Sequence, residues 1–443
     1  MNALALLSSL NREQRNTFLA SFLGWTLDAF DFFLVTFVTL RIAKDFSVAL
    51  PAIAFTITLT LMLRPVGALI FGILADRFGR RTPLMIDIIC YSVIELLTAF
   101  SPNYVIFLLL RGLFGIAMGG EWGLGSSLAM ESLPTESRGL FSGILQQGYA
   151  CGYLLAAIAF FLVFTFFPYF GWRTLFVIGV LPALLVVFIR MGVHESPVWE
   201  HQQILHRQRG TNVWQGIWNA IKHRWLLFVY VIVLMTAFNS LSHGTQDNLP
   251  TFLQAQLKLG VSSTSTITII ANIGAIIGGT LFGYYSQSWG RRRAIIIACI
   301  LGIIMIPFWV GFIRIPGLGL LASIAIGAFL LQFMVQGAWG IIPVHLNELS
   351  PTDVRGTFPG FAYQLGNLFA ANIVFLEALL AQNLGTAKTP NYASALAIFS
   401  LGAFLAVILF TAIGREARGI EFIQADEQEP VAGEVVPAQR ATS

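Results

Sequence analysis

Long apolar runs separated by short polar breaks fill almost the whole chain. Crossing a hydrocarbon core takes about 20 residues of helix. Twelve runs meet that length, at 17–43, 53–75, 83–101, 104–131, 139–166, 173–191, 226–256, 265–287, 294–313, 317–346, 357–382 and 391–414. The pattern predicts an all-α membrane protein with twelve transmembrane helices. Two stretches break the rhythm. Residues 192–225 are polar, with Pro197, His201, His206, Arg207, Arg209 and Lys222, and read as a linker with short amphipathic helices. Residues 415–443, with Glu, Ala, Gln and Pro, read as a disordered tail. The chain thus divides into an N-terminal six-helix bundle at 1–191, the linker at 192–225, a C-terminal six-helix bundle at 226–414 and the tail at 415–443.

One predicted helix is polar where it should be greasy. Between Asn239 and Thr251 a histidine, a carboxylate, amides and hydroxyls crowd the late part of the run that begins at 226. Polar groups in hydrocarbon are costly and usually face a water-filled cavity or a partner, so they mark a pathway. This stretch is expected to be one wall of a substrate route.

The two bundles repeat. Gly72-Ile73-Leu74-Ala75-Asp76-Arg77-Phe78-Gly79-Arg80-Arg81 returns as Gly283-Tyr284-Tyr285-Ser286-Gln287-Ser288-Trp289-Gly290-Arg291-Arg292, an offset of 283 − 72 = 211. Gly120-Glu121-Trp122-Gly123, Glu131 and Pro134-Thr135-Glu136-Ser137-Arg138-Gly139 return as Gly337-Ala338-Trp339-Gly340, Glu348 and Pro351-Thr352-Asp353-Val354-Arg355-Gly356, an offset of 351 − 134 = 217. Two parallel six-helix repeats with a site between them at mid-membrane form a known transporter architecture.

Composition agrees. The 443 residues are 56% hydrophobic and 11% charged, with mean hydropathy +0.76, against roughly 25% charged in soluble domains. A net charge of +4 would suggest acidic partners for a soluble protein; here it reflects topology, and no nucleic-acid partner is expected. Arg77, Arg80, Arg81, Arg138, Arg190, Arg291, Arg292, Arg293 and Arg355 fall on the side of the amino terminus, whereas the opposite loops hold few basic residues. The bias of positive residues to the cytoplasm places both termini there, in an inner or plasma membrane. Cys90, Cys151 and Cys299 lie within predicted spans at unrelated spacings and read as packing residues, neither disulfide nor metal ligands. The first ten residues lack the basic start of a cleavable signal.

The loop Gly72–Arg81 closely resembles the signature loop of the major facilitator superfamily, and Arg111-x-x-x-Gly115-x-x-x-Gly119 is similar to that superfamily's second motif. The resemblance implies the major facilitator fold. The polar stretch Asn239-x-x-Ser242-His243-x-Thr245-Gln246-Asp247-x-x-x-Thr251 resembles the seventh-helix signature of fungal lactate/pyruvate permeases. Those belong with the sialate:proton symporter family, which includes bacterial sialic acid carriers. Gly24–Phe33, Gly337–Gly340 and Phe358–Asn367 also match. The resemblance implies proton-coupled uptake of lactate, pyruvate, acetate or similar acids, with sialic acid or another organic or sugar acid as the alternative.

Several residues could carry that chemistry. Arg64 lies mid-span, and its guanidinium fork fits a carboxylate bidentately; the competing reading is a structural ion pair with a neighbouring helix. The resemblance implies the substrate role. Asp28 and Asp31 are three apart on one helix face. Two adjacent carboxylates in a low dielectric cannot both ionise cheaply, so one could carry the proton; alternatively one is the counter-charge of Arg64. Glu121 is a proton candidate because Ala338 replaces it in the repeat. Arg111, roughly 15 Å along the helix from Glu121, is either structural or part of a proton path. Glu95 and Glu377 also lie in spans. His243 and Asp247, four apart, share a face and serve either proton transfer or an outer gate. Asn239, one turn deeper, and Ser242, with Gln364, Tyr363 and Gln336, are candidates for hydrogen-bonding substrate; Asn272 could join them. Gly72, Asp76, Arg77, Gly79, Arg80 and Arg81 read as a cytoplasmic latch between helices two and eleven, with a weaker second latch where Gln287 replaces Asp76.

Other function classes fit poorly. The chain has no His-Glu-x-x-His, and His194-Glu195 is followed by Ser196-Pro197-Val198, which cannot complete a zinc pair. A membrane enzyme is therefore not expected, nor a receptor on so short a tail. There is no Gly-x-x-x-x-Gly-Lys-Ser/Thr loop, so ATP is not the expected energy source. The sequence predicts a monomeric secondary transporter without cofactor, in a lipid bilayer, whose partners are a small organic-acid anion and a proton.

Overall fold

In the computed structural model, residues 3–167, 169, 171–209, 218, 222–385 and 389–423 are described. Twelve helices there are long and apolar enough to cross a membrane. In the N-terminal half they are α1 (Arg12–Asp45), α2 (Ala52–Phe78), α3 (Arg81–Ala99), α4 (Tyr104–Ser132), α5 (Arg138–Phe166) and α6 (Arg173–Gly192). In the C-terminal half they are α7 (Trp225–Gln256), α8 (Ser262–Trp289), α9 (Arg291–Trp309), α10 (Leu320–Leu349), α11 (Phe358–Leu384) and α12 (Tyr392–Ile413). All twelve expected spans are present. The first begins five residues earlier than its apolar run, because Asn11 forms a reciprocal capping box with Gln14.

The linker contributes a helix at Pro197–Arg209; residues 210–217 and 219–221 lie outside the described set. The expected disorder from 415 does not hold at its start. Glu416 accepts from the backbone N–H of Arg291 and Arg292, the Ile420 carbonyl accepts from Arg138, and Phe422 is buried beneath the guanidiniums of Arg138 and Arg355. Those contacts satisfy the exposed start of α9, which is why this segment is ordered. Residues 424–443 lie outside the described set.

The repeat in sequence is a repeat in structure. Both α2 and α8 end on a glycine with positive φ, 95° at Gly79 and 93° at Gly290, a conformation that costs other residues strain. Leu109, Phe161, Leu184 and Ile304 point outward and are exposed, as lipid-facing side chains should be. The halves meet closely on the side bearing the described termini. A Cβ added at Gly143 of α5 would lie 2.5 Å from the Gly279 carbonyl oxygen of α8, and one at Gly123 of α4 would lie 2.7 Å from Gly360 Cα of α11. Toward the opposite side a cleft of about 480 Å³ separates Thr58 and Met62 of α2 from Asn248 of α7 and Asn372 of α11. The halves thus pack backbone to backbone toward one end, and a pocket lies between them toward the other.

Candidate functional site

Arg64 owes its position to the packing of α2 on α4. Cβ atoms added at Gly115 and Gly119 would fall 2.2 Å from the carbonyl oxygens of Thr60 and Arg64 respectively. Only glycines admit that approach, so the Arg111-x-x-x-Gly115-x-x-x-Gly119 spacing fixes how α2 sits against α4. Pro65 follows immediately inside α2. Arg64 is 3% exposed and Asp28 of α1 fully buried; Nη2 of Arg64 donates to Asp28 Oδ2 at 3.0 Å. Arg64 Nε and Asp28 Oδ1 have no hydrogen-bond partner. The pair is therefore only singly bonded, and half of its fork remains available.

A second buried ion pair lies nearby. Nη1 of Arg111 donates to Glu95 Oε2 of α3 at 2.8 Å, both side chains fully buried. Glu95 and Arg111, read separately in the sequence, are partners. Asp31, Asp87 and Glu121 are also fully buried, yet no N–H or O–H donates to any of their carboxyl oxygens. Asp87 was not among the residues the sequence singled out.

On the C-terminal half, His243 Nδ1 lies 2.9 Å from Asp247 Oδ2, and Nε2 lies 2.9 Å from Asn367 Oδ1 on α11. The ring faces two acceptors, the arrangement a doubly protonated imidazolium satisfies. Asn239 is buried but turns its amide N–H to its own helix at Met235 O, 2.8 Å away. Gln364 is 1% exposed with both amide atoms unpartnered. Ser242 and Gln336 are half-buried, while Asn272 is exposed and donates to Thr268 O on its own helix. Glu377, without an evident partner in sequence, accepts from Asn248 Nδ2 at 2.9 Å.

Aromatic rings pack across the two halves. Trp122 of α4 stacks on Tyr363 of α11 at 4.6 Å between centroids, and Trp339 of α10 meets the same tyrosine edge-on at 5.8 Å. The two tryptophans are repeat counterparts, so the Gly-x-Trp-Gly motifs of both halves converge on one ring.

The loop after α2 joins the halves. Asp76 accepts from the backbone N–H of Gly356 (2.7 Å) and Thr357 (3.0 Å), from Thr357 Oγ1 (2.7 Å) and from Arg80 Nη1 (3.1 Å). A Cβ at Gly72 would lie 2.6 Å from Thr357 Cα. Arg80 is clamped by Glu131, whose carboxylate also takes a short hydrogen bond from Ser196. Glu195 accepts from the N–H groups of Arg80 and Arg81 beside Gly79. Arg77 lies over the Phe78 ring. In the second half Arg291 pairs with Glu348, and Gln287 donates across to the Thr135 carbonyl at 3.0 Å. Asp76 receives three hydrogen bonds across the halves and Gln287 gives one.

Comparison with known proteins follows the same lines. The model of the Major Facilitator Superfamily matches residues 17–373. The chain belongs to this superfamily. It is a multi-pass membrane transporter, not an enzyme. A carboxylic acid transporter protein homolog of Saccharomyces cerevisiae is 31% identical over 442 residues, covering 94% of this chain and 70% of that relative. A probable 4-methylmuconolactone transporter of Cupriavidus pinatubonensis is 29% identical, covering 96% and 97%. The sialic acid transporter NanX of Escherichia coli is 28% identical, covering 82% and 86%. Among solved structures, the proton:xylose symporter XylE superposes with a TM-score of 0.72 at 19% identity, over 94% of this chain and 98% of that one, a likeness of fold.

Within this transporter the structure brings Arg64 and Asp28 into one pair, His243 and Asp247 into another, and Tyr363 beside Trp122. It does not join Glu121 to Arg111, nor Asp31 to Arg64. The sequence reading missed Asp87 and Asn367. A signal existed for the first: Asp87, Tyr91 and Glu95 recur every four residues, on one face of α3.

Proposed function

We propose that this transporter is a secondary active carrier that takes up a small monocarboxylate, such as lactate, pyruvate or acetate, together with a proton by alternating access. The observation that carries the reading is the singly bonded Arg64–Asp28 pair, buried between the closely packed end and the cleft. Thr58, which lines the cleft, lies 64 − 58 = 6 residues from Arg64 on α2, roughly 9 Å of helix. An incoming carboxylate can take the guanidinium from Asp28. The displaced Asp28 would then be a buried, unpaired anion, a species that neutralises instead. Substrate binding thereby requires a proton on Asp28, and the loaded carrier is electroneutral. That balance matters, because importing an uncompensated anion against 100 mV costs about 2.3 kcal/mol.

In this reading Gln364, Tyr363, Asn239, Ser242 and Gln336 surround the remainder of the substrate. His243 and Asp247 act at the outer entrance, and the Asp76–Thr357 contacts are the latch that holds the cytoplasmic end shut. Both termini are cytoplasmic and the protein works as a monomer. The yeast relative, a carboxylic acid transporter protein homolog, supports an acid as cargo.

A second reading, transport of sialic acid or another organic acid, draws on the rings of Trp122, Tyr363 and Trp339, which suit a ring-shaped cargo, and on the sialic acid and methylmuconolactone relatives. Uptake of labelled lactate, acetate and sialic acid into proteoliposomes under an inward proton gradient separates the two. Accumulation of lactate or acetate supports the monocarboxylate reading; accumulation of sialic acid alone sinks it.

A further inference from the structure

The interior of the N-terminal half holds more acid than its cations balance. Among the described residues, Asp28, Asp31, Asp87, Glu95 and Glu121 are buried within the spans, and Arg64 and Arg111 are the cations paired with them. Two of the five are ion-paired. The other three accept no hydrogen bond from any N–H or O–H. Buried charges are paired or neutralised, and none of these three has a guanidinium partner. Glu121 follows Gly120, whose added Cβ would lie 2.8 Å from Asp87 Oδ1, so the two acids are neighbours across α3 and α4.

Each unpaired acid occupies a space that a glycine leaves open. A Cβ at Gly24 of α1 would lie 2.0 Å from Glu121 Oε1, and one at Gly120 of α4 would lie 2.8 Å from Asp87 Oδ1. At Gly179 of α6 it would lie 3.0 Å from Asp31 Oδ1 and 2.6 Å from Glu95 Cγ, which puts those two acids side by side. Tyr91 stands between Asp87 and Glu95 on α3, four residues from each. It is fully buried and its hydroxyl has no partner, with Glu121, Asp31, Asp28 and Asp87 as its charged surroundings. Along α3, Asp87, Tyr91 and Glu95 are successive turns of one face; the file covers 95 − 87 = 8 residues, roughly 12 Å of depth.

The duplicated half is the internal control. The offset of 211 sets Ala275 opposite Arg64, and Ala298, Gly302 and Ile306 opposite Asp87, Tyr91 and Glu95; the offset of 217 sets Ala328 opposite Arg111 and Ala338 opposite Glu121. The scaffold folds without these groups. Their concentration in one half is thus not a requirement of the helix packing.

We propose that the proton crosses the interior of the N-terminal half along Glu95, Asp31, Tyr91 and the Asp87–Glu121 carboxyl pair, on a route apart from the cleft that admits the organic acid. The inference rests on the symport reading above. In each step a proton leaves one carboxyl oxygen and bonds to the next, with the Tyr91 hydroxyl donating one proton as it accepts another, so charge and atoms balance. Asp28 on α1 borders the file and exchanges its proton with it when substrate takes Arg64. The titratable groups facing Asp87 and Glu121 are Asp28 on α1 and Cys90 and Tyr91 on α3.

The test has two arms, both on the full-length reconstituted protein. Infrared difference spectra at neutral pH should show the deuterium-sensitive band of protonated carboxyl groups, reduced in Asp87→Asn and in Glu121→Gln; absence of that band in the wild type overturns the file. In proteoliposomes, one-to-one symport under about one pH unit of gradient gives at most about tenfold accumulation of labelled acid. Tyr91→Phe, which removes a single oxygen, should bring that ratio down to about one, with the loss in the rate of coupled uptake and not in KM. Wild-type accumulation in both Tyr91→Phe and Asp87→Asn overturns the file and leaves the acids a static protonated core. Accumulation in the wild type driven only by sodium also overturns it. If the band is present but the wild type accumulates no acid under any gradient, it is the symport reading that fails, and a transport role for the file falls with it.

Discussion

Arg64 and Asp28 form the smallest unit whose behaviour can be stated in numbers. Removing one partner of a buried pair costs about 3–5 kcal/mol, most of it from the charge left behind. Arg64→Ala should therefore lower the melting temperature and abolish acid uptake, whereas Arg64→Ala with Asp28→Asn should melt near the wild type and still take up no acid. Normal substrate affinity in the double variant would remove Arg64 from the site. Asp28→Asn alone should let the acid equilibrate without being concentrated, because an amide takes no proton to offset the bound anion. A variant that still concentrates lactate under a proton gradient would count against Asp28 as the exchanging acid. An ionisable residue in an apolar run can be read from sequence, since its cost in hydrocarbon is independent of the fold. Its partner cannot: Asp28 lies 36 positions from Arg64, and only helix packing decides that they meet.

Helices in this transporter are placed by backbone contact, and glycine decides where. Gly115→Ala forces a methyl group against the Thr60 carbonyl of α2, and such overpacking costs about 1–3 kcal/mol. Gly402 in α12 has nothing within 4 Å of its added Cβ, so Gly402→Ala should be neutral or gain up to about 1 kcal/mol from helix propensity. Thermal melting of the two variants side by side measures the contrast. The loop after α2 makes a different prediction. Asp76 accepts charge-assisted hydrogen bonds from Gly356 and Thr357, just before α11, worth about 1.5–3 kcal/mol each, and Asp76→Asn weakens all of them on that side only. Spin labels on α2 and α11 at that end should show the short-distance population falling roughly tenfold or more; an unchanged distribution would mean that Asp76 does not hold the ends together. The repeat made this loop legible, including Glu131 and Glu348, whose pairing with Arg80 and Arg291 the sequence contained at matching offsets but did not state.

For the whole molecule, the proposed orientation, with both termini cytoplasmic, is open to a topology experiment. On the proposal that the termini are cytoplasmic, a membrane-impermeant thiol reagent should label Leu318→Cys in intact cells, and Met191→Cys only after the membrane is opened; both positions are exposed. The reverse pattern would invert the proposed direction of the cleft. The sequence by itself determined the twelve spans, the duplication and the list of ionisable residues in apolar surroundings, because hydropathy, periodicity and internal likeness are properties of a linear chain. Only the tertiary structure decided which acids are paired. Asp28 and Glu95 found guanidiniums on neighbouring helices, while Asp31, Asp87 and Glu121 did not. Asp87 was legible as an acid in an apolar run, between Ile86 and Ile88, but neither it nor Tyr91 has a role that the linear chain states. Their significance lies in what faces them from α1 and α4, and the angle and depth at which helices pack is not written in any one of them.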